Sequence, residues 1–439
     1  IVLVIMSMSL SDSEEEEMFK MQEIIYGDNF EEETHQDTHT SSLIMQLLKV
    51  MKSGMALYKV SMPTFILEPL SLLEKYAVFC NPREDYINFS SVNDPLDRFI
   101  EVTRYFLSGL YSVPKPTVSR SKPYNPVLGE EFHCYWKLKS GSVVRLLAEQ
   151  TSHHPPISAM VIQCKKDQWW ANSSWAIKTK FHINSVSTNL STKTNLYLTK
   201  WGEKYSCNFP LLFLRGLFYG KNFVELQGKF RLQCDVLPFS VSCKFDRMAK
   251  TLFNGVIRDK DKHPIFTIAG NICKDVYITN VKTKKTKLFF NVDTFKKCKM
   301  HVKPVVNQNS NESRRVWHHT SYAIKHNDFE AAEINKTLVE QTQRELKKDM
   351  TSRGEVHKIK YFKIDDKDAP SYTYNESSSW DLNKFDFGEL QSVKKKEDTK
   401  KNNENIKKNE TKKECSDLKT SEMQSNKEVN VHQTQIEEG

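Results

Sequence analysis

Residues 143–292 form a succession of short runs rich in β-branched and aromatic side chains, separated by turn residues and without a long helical pattern. Runs of strand length spaced in this way are typical of an antiparallel meander that closes, or nearly closes, into a barrel. The predicted strands include 160–164, 174–182, 195–201, 204–209, 223–234, 240–245 and 265–270. A barrel of this length can enclose a cavity, but its alternating pattern also suits a plain apolar core. We therefore predict a mainly β (α+β) fold built on one large antiparallel barrel.

The two ends of the 439-residue chain differ in composition from its middle. Residues 11–37 are strongly acidic, and beyond Lys394 the chain is mostly Lys, Asn, Glu and Thr. Such segments cannot bury enough apolar surface to fold. We predict a disordered acidic segment over 1–40, a folded domain over 41–365, and a low-complexity, mostly disordered tail over 366–439.

Composition also narrows the classes of function. The net charge of +9 is spread along the chain without a compact basic motif, so we predict no nucleic-acid partner; a basic surface also suits an anionic membrane. Nine cysteines without Cys-x-x-Cys pairs argue against a disulfide framework or zinc module and indicate a reducing compartment. Because no GxSxG elbow or activated cysteine loop is present, we predict a protein that is not an enzyme and holds no cofactor or metal.

The segment 41–52 is predicted to form an amphipathic helix that ends at Gly54. Its apolar stripe consists of Leu43, Ile44, Leu47, Leu48 and Met51. Ordinary core packing explains such a stripe, and a Met- and Leu-rich surface also suits contact with a lipid tail or a membrane. An extended stretch over 60–67 follows it.

A second helix is predicted to begin at Asp94, because this residue can cap the helix and Pro95 suits its first turn. We assign that helix to packing. A third helix is predicted over 328–348, where Lys336, Glu340 and Arg344 recur every four residues. They form one stripe, about 12 Å long at 1.5 Å per residue. From spacing alone, a solvated charge ladder is the favoured interpretation of this stripe.

The most unusual motif is Glu-Gln-Thr-Ser-His-His-Pro-Pro at 149–156. It places His153 and His154 between a predicted strand and two prolines that prevent a helix, so both imidazoles are expected at a strand end. Histidine near neutral pH readily becomes a cation beside a dianion, and both ring nitrogens then donate. Three interpretations stay open on these residues alone: ordinary loop histidines, an anion site, or a metal pair.

The segment 122–130, Lys-Pro-Tyr-Asn-Pro-Val-Leu-Gly-Glu, is predicted to be a stiff loop that turns at Gly129. Lys122 and Asn125 are equally suited to a surface position and to an anion site. Lysine binds phosphate as a mobile point charge.

The motif at 149–156 closely resembles the EQVSHHPP signature of oxysterol-binding-protein-related lipid-transfer proteins, with Thr151 in the valine place. Resemblance extends to Met-Pro-Thr-Phe-Ile-Leu-Glu-Pro at 62–69, to 122–130 and to the helix around Lys336, in the family's order. It therefore covers roughly residues 41–365. The sequence around these motifs is most similar to the branch of the family that includes the related proteins numbered nine to eleven.

This resemblance implies a nearly closed β-barrel around a lipid tunnel, with a helical lid at 41–69 and C-terminal helices. It implies a lipid head-group site formed by Lys122, Asn125, His153, His154, Lys336, Glu340 and Arg344. The implied lid and tunnel residues are Leu43, Ile44, Leu47, Leu48, Met51, Thr64, Phe65, Ile66 and Leu67. One departure is Gly270-Asn271-Ile272, where relatives have Gly-x-Trp, so the local packing there is open.

The implied function is non-vesicular lipid transfer in which phosphatidylinositol 4-phosphate is exchanged for a sterol or phosphatidylserine. The alternatives are a phosphoinositide sensor or scaffold at membrane contact sites, or a lipid hydrolase. Implied partners are anionic membrane surfaces and an endoplasmic-reticulum tether protein, whose acidic binding motif the stretch around Phe19 resembles, although Met18 and Lys20 depart from it. The implied location is the cytosol, peripherally associated with endoplasmic reticulum, Golgi or plasma-membrane contact sites.

Overall fold

The structure is a computed structural model, and its described residues all lie in one compact unit, Ile1–Leu382. It describes residues 22–24, 64, 67–112, 122–153, 155–182, 184–216, 223–247, 251–296, 298–366 and 371–375. Several predictions fall outside these residues: the lid helix over 41–52, Phe65 and Ile66, His154, the motif around Phe19, and the tail beyond 375.

The described chain is mainly β, with nineteen strands and five α-helices. The strands before the middle of the meander are β1 (Gln22–Ile24), β2 (Leu67–Ser71), β3 (Lys122–Tyr124), β4 (Glu131–Lys137), β5 (Val143–His153), β6 (Pro156–Cys164), β7 (Trp169–His182), β8 (Ser185–Leu198), β9 (Glu203–Asn208) and β10 (Leu211–Arg215). Those after it are β11 (Phe223–Cys234), β12 (Ser240–Phe245), β13 (Leu252–Arg258), β14 (Pro264–Asn271), β15 (Asp275–Asn280), β16 (Thr286–Asn291), β17 (Met300–Val302), β18 (Phe362–Asp366) and β19 (Ser371–Tyr374). The helices are α1 (Leu72–Phe79), α2 (Pro95–Gly109), α3 (Ser313–Val316), α4 (His318–Lys325) and α5 (Phe329–Ser352).

Fifteen of these strands form one antiparallel sheet, which confirms the predicted meander. Its order is β1-β17-β4-β5-β6-β7-β8-β10-β11-β12-β13-β14-β15-β16, and β9 pairs with β8 and β11 beside this path. The strands β2 and β3 form a separate parallel pair, and β18 and β19 form a separate hairpin.

Predicted strand boundaries differ most at β8, which begins at Ser185 although the prediction began at residue 195. The added residues are mostly Ser, Thr and Asn, which lack the expected apolar alternation. They pair with β7 residue by residue, from His182 opposite Ser185 to Trp169 opposite Leu198. A continuous backbone ladder therefore outweighs weak strand propensity in this stretch.

The core lies against the sheet and is rich in aromatic side chains. Helix α1 brings Tyr76 within 4.7 Å of Trp175 between ring centroids, and Phe79 within 5.7 Å of the same indole. Phe79 also meets Phe209 edge-on at 6.0 Å. Aromatic pairs at these separations add stabilisation beyond the area they bury.

Helix α2 begins as predicted, because Asp94 accepts a hydrogen bond from the backbone N–H of Asp97 at 2.8 Å. The helix is fixed to the sheet by a buried ion pair in which Arg98 Nε donates to Glu203 Oε2 at 2.9 Å. Both side chains are 3% exposed. The Arg98 guanidinium also lies 4.0 Å from the Trp201 ring centroid. These contacts agree with the packing role predicted for this helix.

The turn at 270–272, where the sequence lacks the expected Gly-x-Trp, is well packed. Gly270 has φ +154°, and a Cβ there would lie 2.3 Å from the carbonyl oxygen of Asp275. Ile272, in the place of the family tryptophan, is fully buried. A smaller apolar side chain therefore fills this position.

Candidate functional site

Lys122 lies at the start of β3, not in a loop as predicted. The three residues Lys122–Tyr124 run parallel to β2, with Lys122 opposite Leu67. The segment looked like a loop because of Pro123, but a two-stranded pair with open edges tolerates the missing N–H. Leu67 itself is buried, at 6% exposure.

Helix α5 provides the charged stripe that the sequence predicted. The carboxylate of Glu340 lies 3.6 Å from Lys336 Nζ and 3.3 Å from a terminal nitrogen of Arg344. The two cations differ in environment, because the side chain of Lys336 is 5% exposed and that of Arg344 is 68% exposed. The stripe therefore begins inside the domain and ends in solvent, which a fully solvated charge ladder would not do.

Lys122 and the stripe form one electrostatic cluster. Lys122 Nζ donates to Asn125 Oδ1 at 2.7 Å and to the Pro123 carbonyl at 3.4 Å. The pKa of Lys122 is lowered to about 8, mainly by burial; the nearby Glu340 carboxylate opposes this effect, and Lys336 adds to it. Among the residues that the structure describes, no carboxylate lies within ion-pairing distance of Lys122. The hydrogen-bond partners of this ammonium group are therefore neutral oxygens.

Glu333 is a member of this cluster that the sequence-based prediction missed. One of its carboxylate oxygens lies 3.0 Å from Lys336 Nζ. The other accepts from the backbone N–H of Thr64 at 3.2 Å, while the Thr64 hydroxyl donates to the Phe329 carbonyl at 3.1 Å. The spacing of three residues between Glu333 and Lys336 was the available signal. Thr64, which is 2% exposed, is the one predicted lid residue besides Leu67 that the structure describes.

The segment after β3 is held against α5 and the sheet by backbone contacts. The Leu128 N–H donates to Gln343 Oε1 at 2.9 Å, and the Gly129 N–H donates to the Gln150 carbonyl at 2.9 Å. Gly129 has φ +77°, and a Cβ there would lie 2.7 Å from the His357 ring. Both the backbone conformation and the close contact require glycine.

Glu130 closes the segment as a fully buried carboxyl group. It accepts from Trp317 Nε1 at 2.9 Å, from the Ser313 hydroxyl at 2.7 Å and from the Val127 N–H at 3.0 Å, and the Ser71 hydroxyl donates to it as well. Burial raises the pKa of Glu130, and these donors oppose that effect. The carboxyl group thereby joins β2, α3 and the start of α4 to the segment that contains Asn125.

The histidine motif lies at the β5–β6 turn, as predicted. His153 is the last residue of β5 and pairs with Pro156, the first residue of β6. The ladder is irregular at Thr151, whose hydroxyl donates to the Ile157 carbonyl at 3.0 Å. His153 is partly buried. Bulges of this kind re-aim neighbouring side chains beside functional sites.

The first residue of the motif has a scaffolding contact. Glu149 accepts from the backbone N–H groups of Lys360 and Tyr361, at 2.9 and 3.0 Å. It therefore fastens the segment after α5 to the sheet.

The structure brings together Lys122, Asn125, Lys336, Glu340 and Arg344. His153 lies three residues beyond Gln150, which contacts the segment at Gly129, so β5 carries the imidazole to the vicinity of that segment. The role of these residues in binding a head group remains a proposal.

Comparison with known protein families gives the class of protein to which this chain belongs. A family model described as oxysterol-binding protein matches residues 46–387, which is more than half of the chain. The chain therefore belongs to the oxysterol-binding protein family, and the resemblance found in the motif at 149–156 is confirmed.

Among particular relatives, human oxysterol-binding protein-related protein 8 is 31% identical over 353 residues, which are 77% of this chain and 39% of that protein. Related protein 9 of Xenopus tropicalis is also 31% identical, over 69% of this chain and 44% of its own length. The Candida albicans protein OBPalpha is 30% identical over 76% of this chain and 80% of its length. The chain thus spans less than half of the first two relatives. Because related proteins 8 and 9 are equally similar, the predicted branch stays a prediction.

Solved structures of the family share the fold. The Osh1 ORD domain in complex with cholesterol superposes with a TM-score of 0.64 at 17% identity, covering 84% of this chain and 96% of that one. The Osh3 ORD in complex with PI(4)P, from Saccharomyces cerevisiae, gives a TM-score of 0.61 at 20% identity, covering 84% and 99%. These likenesses confirm the predicted mainly antiparallel, barrel-like fold.

Proposed function

We propose that this chain is a non-enzymatic lipid-transfer protein that binds phosphatidylinositol 4-phosphate and exchanges it for a second lipid, a sterol or phosphatidylserine. The observation that carries the proposal is the cluster of Lys122, Lys336 and Arg344 around Glu340, contributed by a strand and a helix far apart in sequence. Family membership supports the same function, since relatives of this fold are described in complexes with PI(4)P and with cholesterol.

A phosphate monoester suits the chemistry of the cluster. Lys122 is a partly buried ammonium with neutral oxygen neighbours, and a dianion beside it would replace the hydration that burial removes. Lys336 is already oriented by Glu333 and Glu340, so it needs little reorganisation to donate to phosphate. Arg344 at the exposed end of the stripe offers a planar fork for the same oxygens.

Under this proposal, His153 and His154 add two imidazoles whose protonated forms the phosphate stabilises. The acyl chains or the sterol would lie in the apolar interior behind the site. Two residues of the predicted lid lie beside the cluster, because Thr64 contacts Glu333 and Leu67 pairs with Lys122.

The cellular setting follows from the same proposal. A lipid carrier works from the cytosol and associates peripherally with donor and acceptor membranes, here endoplasmic reticulum, Golgi or plasma-membrane contact sites. The tether protein predicted from the stretch around Phe19 belongs to this proposal. No described helix combines the length and apolar character needed to cross a bilayer.

The test is the double variant His153→Ala with His154→Ala in the full chain. We expect it to fold as the wild type, because His153 lies at a strand end, and to lose extraction of phosphatidylinositol 4-phosphate from liposomes. The matched control is His263→Ala, since this ring is exposed and lies in the turn between β13 and β14, far in sequence from every residue of the proposed site. Undiminished extraction by the first variant would contradict the proposed site.

A liposome transfer assay distinguishes a lipid carrier from a sensor that binds lipid without moving it. Donor liposomes containing phosphatidylinositol 4-phosphate and acceptor liposomes containing a sterol or phosphatidylserine are mixed with catalytic amounts of protein. Movement of the phosphoinositide that is accelerated by the counter-lipid supports exchange. Tight binding without movement of either lipid would instead assign a sensor or scaffold role, and release of inorganic phosphate or fatty acid would indicate a hydrolase.

A further inference from the structure

Two buried carboxylates that the proposed head-group site does not use face each other on the sheet. Glu131 of β4 and Glu149 of β5 are register partners, and each is 1% exposed. Like charges directly opposite each other on antiparallel strands destabilise the pairing. Burial also removes the hydration of both groups, so this pair requires hydrogen-bond donors from another part of the chain.

Two consecutive residues after α5, Lys360 and Tyr361, supply these donors. The backbone N–H of Lys360 donates to Glu149 Oε1 at 2.9 Å, and that of Tyr361 donates to Glu149 Oε2 at 3.0 Å. Lys360 Nζ donates to Glu131 Oε1 at 3.0 Å, and the Tyr361 hydroxyl donates to Glu131 Oε2 at 2.8 Å. We call these four residues the carboxylate clamp.

The two carboxylates of the clamp depend on these donors to different degrees. Burial would raise the pKa of Glu131, but His133 and Lys360 lower it to about 2 overall. Burial also raises the pKa of Glu149; the N–H groups of Lys360 and Tyr361 oppose that effect, and Glu131 adds to it. The charge of Glu149 is therefore stabilised mainly by the backbone at 360–361.

The clamp holds the stretch of chain that continues from α5. Residues 344–349 of this helix are all exposed, so core packing does not fix them. Contacts on either side of them do so instead. Gln343 accepts from the Leu128 N–H at 2.9 Å, and the His357 ring lies 2.7 Å from the position that a Cβ of Gly129 would take. The second half of α5 is thus fastened to the segment after β3 and, through the clamp, to β4 and β5.

The same connection sets the spacing within the candidate site. Lys122 lies on β3, whereas Lys336 and Arg344 lie on α5. Lys122 and Lys336 are close enough for the charge of one to affect the pKa of the other. A site of this kind keeps its affinity only when its groups are held within about 0.5 Å of the productive geometry. Movement of α5 relative to β3 would therefore separate the cations that we propose to meet one phosphate.

A purely structural role is the simpler explanation for the clamp, because satisfied buried hydrogen bonds stabilise a fold wherever they lie. That explanation predicts that loss of Glu149 lowers stability and leaves the surroundings of Lys122 unchanged. It gives no reason for two carboxylates opposite each other, since one carboxylate beside a neutral acceptor would bind the same donors without repulsion.

We propose that Glu149, together with Glu131, is a positioning residue for phosphate binding: the carboxylate clamp fixes α5 so that Lys336 and Lys122 meet the same phosphate group. The inference rests on the proposed function for its ligand, but the position of α5 relative to Lys122 is measured without lipid. It gives the first residue of the histidine motif a role different from that of the imidazoles, because Glu149 acts through α5 and does not contact the ligand.

The first test measures the pH profile of Lys122 in the full, lipid-free chain. Acetic anhydride acylates the neutral amine, so labelling of Lys122, read by peptide mass spectrometry from about pH 7 to 11, gives the midpoint of its titration. The wild-type midpoint is expected at about 8. Glu149→Ala is expected to move it upward, toward the ordinary value of about 10.4, because a displaced α5 rehydrates the ammonium group.

Lipid binding provides the second readout. Glu149→Ala is expected to weaken the binding of short-chain phosphatidylinositol 4-phosphate about tenfold, which corresponds to roughly one charge-assisted hydrogen bond. In a background of Lys336→Ala with Arg344→Ala, the same substitution is expected to have little further effect, because the groups through which it acts are already missing. Fully additive losses would contradict action through α5.

Two controls separate positioning from stability. Glu203→Gln alters a carboxylate that is buried elsewhere, in the ion pair with Arg98, and is expected to lower the melting temperature without moving the Lys122 midpoint. Lys360→Arg retains the ion pair with Glu131 and is expected to behave as the wild type in both readouts.

A second variant covers the case in which Glu149→Ala does not fold. The Lys360 side chain is 51% exposed, so Lys360→Met is compatible with folding and removes one arm of the clamp. It is expected to move the Lys122 midpoint upward by a smaller amount.

The proposal is overturned if a folded Glu149→Ala protein keeps the wild-type midpoint at Lys122. Where that variant does not fold, an unchanged midpoint in Lys360→Met overturns it equally. If wild-type protein binds no phosphatidylinositol 4-phosphate but the midpoint moves as expected, the proposed function fails while the clamp still positions α5.

Discussion

Lys122 is the residue of the candidate site whose protonation is most directly linked to ligand binding. Its ammonium group hydrogen-bonds to Asn125, lies in the opposing fields of Glu340 and Lys336, and has a pKa lowered to about 8, mainly by burial. The free protein therefore retains the charge at neutral pH but holds it in an unfavourable environment. An anionic ligand removes that cost, which makes Lys122 a residue whose protonation and ligand binding are linked.

The pH dependence of binding follows with a definite sign. A phosphate ligand raises the pKa of Lys122 back toward its ordinary value of about 10.4, so the bound state holds the proton more tightly than the free state. The contribution of Lys122 to the affinity for a short-chain phosphatidylinositol 4-phosphate is expected to be nearly constant from pH 7 to 7.5 and to fall by up to about tenfold per pH unit above 8. Isothermal titration calorimetry between pH 7 and 9.5 measures it.

The variant Lys122→Arg is the matched control, since a guanidinium stays charged throughout this range. Its affinity is expected to fall less steeply above pH 8 than that of the wild type. The histidines titrate in both proteins, so the difference in slope between them reports Lys122. A wild-type affinity that does not change up to pH 9.5 would show that Lys122 does not meet the phosphate.

Among the elements, α2 is joined to the sheet by the buried ion pair between Arg98 and Glu203. Glu203→Ala would leave the Arg98 guanidinium buried without its carboxylate, and breaking a buried pair in this way costs about 3–5 kcal/mol of unfolding free energy. The loss is expected as a lower urea midpoint. Glu101→Ala, which breaks a more exposed pair with Arg104, is the control and is expected to cost about 0–1 kcal/mol. Equal effects of the two variants would contradict the assigned role of Arg98.

For helix α5, the sequence predicted the spacing of the charged residues but not their burial. The four-residue spacing of Lys336, Glu340 and Arg344 predicted their common stripe, because helix periodicity is a local property. Spacing could not predict that Lys336 is buried and Arg344 exposed, since this depends on what packs against the helix. The contact of Glu333 with Thr64 joins residues 269 positions apart, and no local pattern reveals such a pair.

In the sheet, too, the local sequence pattern predicted some strands and missed others. Apolar alternation predicted β11 and β12 with their observed bounds, whereas the polar start of β8 and the proline-containing β3 were missed. Both are strands because a partner strand lies beside them. Proline and polar residues lower the propensity of a segment for strand, but pairing supplies the hydrogen bonds that decide its conformation.

For the whole molecule, charge is placed at both ends of one antiparallel sheet. The head-group cluster and the histidine turn lie toward one end, and the lysine hairpin at 281–285 lies at the other. Net charge alone, at +9, suggested only a basic surface. The strand order places the histidine turn at one end of the sheet and the lysine-rich turn at the other.

The most direct test of the proposed function compares two ligands on Lys336→Ala and Arg344→Ala. Losing one charge-assisted hydrogen bond costs about 1.5–3 kcal/mol, so phosphatidylinositol 4-phosphate is expected to bind roughly tenfold to a hundredfold more weakly. The larger loss is expected for the buried Lys336 and the smaller for the exposed Arg344. Sterol binding is expected to be nearly unchanged, because a sterol has no phosphate. Lys229→Ala, which removes an exposed lysine from β11, is the control. Equal, small losses for both ligands in all three variants would contradict the head-group site and reduce the stripe on α5 to a solvated charge ladder.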